Sequence, residues 1–139
     1  MRWAEILVVA VALAFILALV FGLTMDPAYG ADPPAPLRPL FDALWQVEAS
    51  GELEPEDGDD GKSIGPYQIQ RAYWQDARMP DGTYEDCRRK DYAERVMIRY
   101  WERYGAKTDE ERARQHNGGP RGHKKKSTLP YWEKVKRGM

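Results

Sequence analysis

Apolar positions recur with a helical period along most of the second two thirds of this chain. Leu37, Leu40, Phe41, Leu44 and Trp45 fall at i, i+3, i+4, i+7 and i+8, which predicts an amphipathic helix ending near Ser50-Gly51. Glu52 to Lys62 is too acidic and Gly-rich for a buried element and reads as a loop or a short twisted hairpin. Pro66, at a position suited to the first turn of a helix, predicts a second helix running through Ile69, Tyr73 and Trp74 toward Asp76, stopped by Pro80-Asp81-Gly82. Tyr92, Ala93, Val96, Met97, Tyr100, Trp101 and Tyr104 form the wide apolar stripe of a central core helix that Gly105 ends. Thr108 followed by Glu111 has the spacing of a capping box and predicts a short helix to about His116; Ser127 to Lys136 predicts a last one. The expected class is α+β and mainly helical, with no internal repeat.

The start of the chain has a different character. Arg2 precedes an uncharged apolar run from Ile6 to Leu23, and Ala28-Tyr29-Gly30 offers a small-residue processing site before Ala31. This is an export signal, and the run is also just long enough to span a bilayer, so residues 1–30 are a signal peptide or an uncleaved signal anchor. Both place the remainder outside the cytoplasm, secreted or periplasmic. Pro33, Pro34, Pro36 and Pro39 mark residues 31–39 as an extended linker, leaving 40–139 as one domain.

Charge narrows the function. Beyond residue 30 the basic and acidic side chains balance, so no field directs the domain to nucleic acid. The charges are segregated, with acids from Glu52 to Asp60 and bases from Arg121 to Lys126. Cys87 is the single cysteine, which excludes an internal disulfide and argues against a Cys-based zinc site. It reads as a partly buried thiol, with a link between two molecules as the alternative. The acidic loop fails as an EF-hand, because with Gly61 at the glycine position the twelfth ligand slot holds Tyr67 instead of Glu. No metal or cofactor is expected. Five Trp and eight Tyr suit a core together with a cleft that stacks on sugars.

Glu48 is the candidate for chemistry. Four residues after Leu44 and eleven after Leu37, it lies on or beside the apolar face, at the C-terminal end of its helix. Lost hydration and the negative helix end both favour its protonated form, as a proton donor to a glycosidic oxygen needs; a solvated surface Glu is the alternative.

Its neighbours favour the donor. Val47-Glu48-Ala49-Ser50-Gly51, then Asp59-Asp60-Gly61-Lys62-Ser63-Ile64-Gly65-Pro66-Tyr67-Gln68-Ile69, then Tyr73-Trp74-Gln75-Asp76 resemble the active-site half of the invertebrate-type lysozymes, the group that includes destabilase. Arg99-Tyr100, the run Ala113-Arg114-Gln115-His116-Asn117-Gly118-Gly119-Pro120-Arg121-Gly122, and Thr128 with Tyr131-Trp132 and Val135 are similar to that family's later motifs, so the resemblance spans about Leu44 to Val135. It implies a lysozyme-like fold with a short β-hairpin or loop beside the active-site helix. The implied activity is that of a muramidase hydrolysing β-1,4 bonds of peptidoglycan or a chitin-like glycan. Glu48 falls on the family's general acid, and Asp59, with Asp60 as alternate, on its second carboxylate; the interval between acid and second carboxylate is one residue short here. Tyr67, Gln68, Trp101, His116 and Asn117 are the expected saccharide contacts. The family's disulfides are missing, which suggests a cysteine-poor bacterial member. Gln70 stands where isopeptidase members carry a lysine after GPYQI, so Ser63 lacks that activator. Two other activities stay open: a lytic transglycosylase using Glu48 alone, and a non-catalytic peptidoglycan-binding protein.

Overall fold

The computed structural model describes residues 34–139. The export segment and the first residues of the linker lie outside it. Where described, the linker is not extended: Ala35–Leu37 form a 3-10 turn that runs directly into helix α1, Arg38–Ala49, with Pro39 in the helix's first turn, where a missing N–H costs nothing. Among the described residues no helix is long and apolar enough to cross a membrane.

Helix α1 buries Leu40, Phe41, Ala43 and Leu44 completely or nearly so, as its periodicity requires. Ser50 ends it in the left-handed conformation (φ 51°) with its N–H on the Gln46 carbonyl, and the chain turns into the acidic loop. That loop carries no regular structure beyond an isolated bridge between Gly58 and Ser63. The hairpin follows it: β1, Ser63–Ile64, pairs antiparallel with β2, Ile69–Gln70, in the register Ser63 with Gln70 and Ile64 with Ile69. The helix expected to open at Pro66 therefore begins later, as α2, Arg71–Ala77. Residues 65–68 are instead a tight turn, with Gly65 at φ +72° and Gln68 at φ +49°. A side chain at Gly65 would collide with the carbonyl of buried Cys87, so packing against the 3-10 turn Tyr84–Arg88, not local propensity, decides the hairpin.

Helix α3, Lys90–Arg103, runs through the centre and buries Tyr92, Ala93, Val96, Met97, Tyr100 and Trp101. Helix α4, Asp109–Gly118, starts at the capping box of Thr108 and Glu111 and continues two residues past His116. Two 3-10 turns, Gly122–Lys124 and Lys126–Thr128, lead to α5, Leu129–Arg137, which packs on both α1 and α4. Cys87 is fully buried, and burial pushes its thiol up to about 12, which keeps it protonated.

One buried charge braces the core. Glu94, only 3% exposed, accepts hydrogen bonds from Arg38 (2.9 and 3.1 Å), Lys90 (2.6 Å) and the Tyr67 hydroxyl (2.6 Å), joining α1, the hairpin turn and α3. Burial pushes its carboxyl toward protonation, and these donors more than reverse that, holding it below its ordinary value. Tyr67→Phe removes one donor to a buried carboxylate and should cost about 2 kcal/mol of stability in a urea titration. An unchanged midpoint would show that the hydroxyl is not part of the brace.

Candidate active site

One cleft, with a volume of about 420 Å³, lies where the end of α1, the acidic loop with the hairpin, α2 and the end of α4 meet. Glu48, on the last turn of α1, faces it with its side chain 20% exposed. Its Oε1 accepts a 2.6 Å hydrogen bond from the Tyr131 hydroxyl of α5, and His116 Nε2 lies 3.5 Å from the same oxygen. No described residue bonds Oε2.

The titration of Glu48 differs from the sequence expectation. Burial does raise it, and is the largest single influence. The hydrogen bond and charge of His116, then the Tyr131 hydroxyl, outweigh burial, while the charge of Asp59 opposes them; the net position is below the ordinary value of 4.5. His116 contributes its charge only while protonated, so the protonation of Glu48 depends on that of its neighbour. The expectation failed because the lowering groups come from α4 and α5, far along the chain from α1.

Asp59 occupies the opposite wall. It adopts a left-handed conformation (φ 51°) that begins a turn continued by Asp60 (φ 57°) and Gly61 (φ 83°). Its Oδ2 accepts from Ser63 Oγ (2.8 Å) and Gln70 Nε2 (3.1 Å), the cross-strand pair of the hairpin. Those two bonds, with a smaller contribution from the charge of Lys62, hold its carboxyl below the ordinary range, so it is ionised. Asp60 is exposed and does not line the cleft.

The expected saccharide contacts divide. Gln68, His116 and Asn117 line the cleft. Gln68 spends its amide internally, accepting from the Gly58 N–H (2.9 Å) and donating to the Gly65 and Glu56 carbonyls, so it sets the shape of the Asp59 loop. Asn117 is exposed. Tyr67 and Trp101 are corrections: their rings are 0% and 2% exposed and pack against Phe41 in the core, where no pyranose can reach them. The cleft's own aromatic wall is Tyr73, stacked on Tyr100 at 3.6 Å and met edge-on by His116. His116, Asn117 and Gly118 are the last residues of α4, which ends two residues beyond the expected end near His116; Gly119 and Pro120 leave the helix and line the cleft.

Tyr131 was visible only within a motif, with nothing to join it to Glu48. Its position rests on the segment before α5. Thr128 Oγ1 donates to the Gly122 carbonyl (2.8 Å), Arg114 Nε donates to Thr128 Oγ1 (3.0 Å), and a Cβ at Gly122 would collide with the Arg114 carbonyl. The turn is thereby clasped to α4 and delivers Tyr131 one turn later.

The family model described as Destabilase matches residues 45–138. A lysozyme of Meretrix lusoria is 37% identical over 81 residues, covering 54% of this chain and 66% of that protein. A lysozyme of Magallana gigas is 41% identical over 80 residues, covering 52% and 58%. The chain thus spans just under two thirds, or less, of these curated relatives. The crystal structure of Tapes japonica lysozyme superimposes with a TM-score of 0.63 at 29% identity, over 72% of this chain and 88% of that one.

His116→Gln removes the two strongest lowering influences on Glu48 and leaves burial in charge, so the Glu48 carboxyl should titrate at higher pH when followed by its carbon chemical shift. Tyr131→Phe should move it the same way. A midpoint that stays put or falls in both variants would contradict this account of the pair.

Proposed function

The chain belongs to the Destabilase family, and from that membership we propose that it is a muramidase, a glycoside hydrolase that cleaves the β-1,4 bond between N-acetylmuramic acid and N-acetylglucosamine in peptidoglycan. One observation carries the proposal: two carboxylates with opposite environments face one cleft, Glu48 half-buried with an unpartnered oxygen and Asp59 solvated and fixed by Ser63 and Gln70.

In the proposed cycle Glu48 Oε2 passes its proton to the glycosidic oxygen as the bond from that oxygen to the anomeric carbon breaks. Asp59, kept ionised by its two donors, faces the positive charge that develops on the sugar and either stabilises it or bonds the anomeric carbon. Water then adds at that carbon and returns its proton to Glu48. The net change is one glycosidic bond and one water consumed, with a new reducing end. Tyr131 holds Glu48 by Oε1 throughout, so the oxygen that exchanges the proton keeps its place. Asn117, exposed on the cleft wall, is available to a sugar ring, whereas Tyr73 is 9% exposed and already stacked on Tyr100.

Export is part of the same proposal, since peptidoglycan lies outside the cytoplasm. The apolar run from Ile6 to Leu23 supports it, and sequencing the N-terminus of the mature protein distinguishes cleavage before Ala31 from a retained anchor.

Glu48→Gln keeps the side-chain shape but loses the transferable proton, so clearing of a cell-wall suspension should slow at least about 10²-fold while binding to the wall persists. Asp59→Asn should also abolish most clearing, and Asp60→Asn should cost little. Full activity in Glu48→Gln overturns the acid, and wall binding with no clearing by the unaltered chain makes it a binding protein. Activity retained in Asp59→Asn but not in Glu48→Gln indicates a transglycosylase instead.

A further inference from the structure

A second cavity, of about 350 Å³, lies on the other side of the hairpin, and Gln70 and Ala72 line both it and the catalytic cleft. Its charged lining consists of Lys62, Arg71, Arg88 and Glu85. Arg88 is spoken for: it makes a two-pronged ion pair with Asp57 (2.6 and 2.9 Å) and a third bond to Glu85 (3.0 Å), which also occupies the cavity's only acid. Lys62 and Arg71 have no ion pair among the described residues; the charge of Lys62 is felt by Asp59 across the hairpin, while Arg71 faces no acid at ion-pair distance. Arg71 is nonetheless placed, with its guanidinium 4.4 Å from the centre of the Tyr84 ring. Tyr84 is itself fixed, being 6% exposed with its hydroxyl shared between the Lys62 and Ile69 carbonyls (3.0 and 2.8 Å), so one buried ring supports both cationic walls.

We propose that this cavity binds the carboxylates of the peptide stem that branches from the muramic acid of peptidoglycan. The inference rests on the muramidase reading and adds a preference to it: strands carrying peptide over bare glycan. A muramic acid seated in the cleft bears its peptide on a lactyl ether, and that peptide has to leave the cleft sideways. The Gln70–Ala72 rim is an exit shared with a cationic cavity. Stem peptides carry free carboxylates on their acidic residues, and Arg71 presents a planar fork suited to one, with Lys62 a point charge for another. Chitin-like strands have no such group and gain nothing from the cavity.

Arg71→Gln on the full chain tests this, with soluble glycan strands bearing tetrapeptide stems and the same strands stripped of peptide by an amidase. Exposed ion pairs are individually weak, so KM on the peptide-bearing strands should rise about threefold to fivefold with kcat unchanged, and Arg71→Lys should recover part of it. The stripped strands should show no change. Equal loss on both strands, or no loss on either, overturns the proposal. Direct binding separates it from the muramidase reading: the free tetrapeptide should perturb the Arg71 side-chain NMR signals of the unaltered chain even if neither strand is cleaved, and no perturbation overturns the cavity assignment.

Discussion

The hydrogen bond from Tyr131 to Glu48 joins residues 83 apart in sequence and fixes the carboxyl that faces the cleft. It ties the end of the first helix to the beginning of the last, so the Glu48 carboxyl is held from behind by an element that lines no wall of the cleft. The bond also sets a limit on the carboxyl. With Oε1 engaged by Tyr131 and approached by His116, only Oε2 can exchange a proton with a ligand. Everything upstream of Tyr131, from the Arg114 to Thr128 clasp to the close approach at Gly122, serves to bring that hydroxyl within reach.

The two carboxylates then differ because of what surrounds them. Glu48 is lodged among helices, where burial raises its titration and the hydrogen bond and charge of His116, with the Tyr131 hydroxyl, lower it further than burial lifts it. Asp59 sits in a left-handed turn at the surface, where solvent and two fixed donors leave a single outcome, the ionised form. Both carboxyls thus sit below their ordinary values, Glu48 against the pull of burial and Asp59 with little burial to oppose its donors. The Glu94 brace beneath the hairpin turn keeps the scaffold of both walls in register without entering the cleft.

What was legible in the sequence was local. The periodicity of α1 and α3 and the Thr108–Glu111 box each act within a few residues, and each element formed as they require. Motif resemblance reached further and located Glu48, His116 and the Asp59 loop on one cleft. Pro66 was misread because the turn at 65–68 is imposed by a carbonyl of Cys87, a contact outside any local window. Tyr67 and Trp101 were misread because an aromatic residue looks the same in sequence whether it fills a core or floors a cleft. The sign of the Glu48 shift was out of reach for the same reason as Tyr131 itself: the deciding donors arrive from helices that only the folded chain brings near.

In the proposed cycle water adds at the anomeric carbon of muramic acid between Glu48 and Asp59. Digestion of purified peptidoglycan in water enriched in heavy oxygen, followed by mass analysis of the released muropeptides, tests it most directly. Hydrolysis predicts one labelled oxygen at each new reducing muramic acid, in products that Glu48→Gln fails to release. Anhydro-muramyl ends without label, or muropeptides released equally by the Glu48→Gln variant, would contradict it.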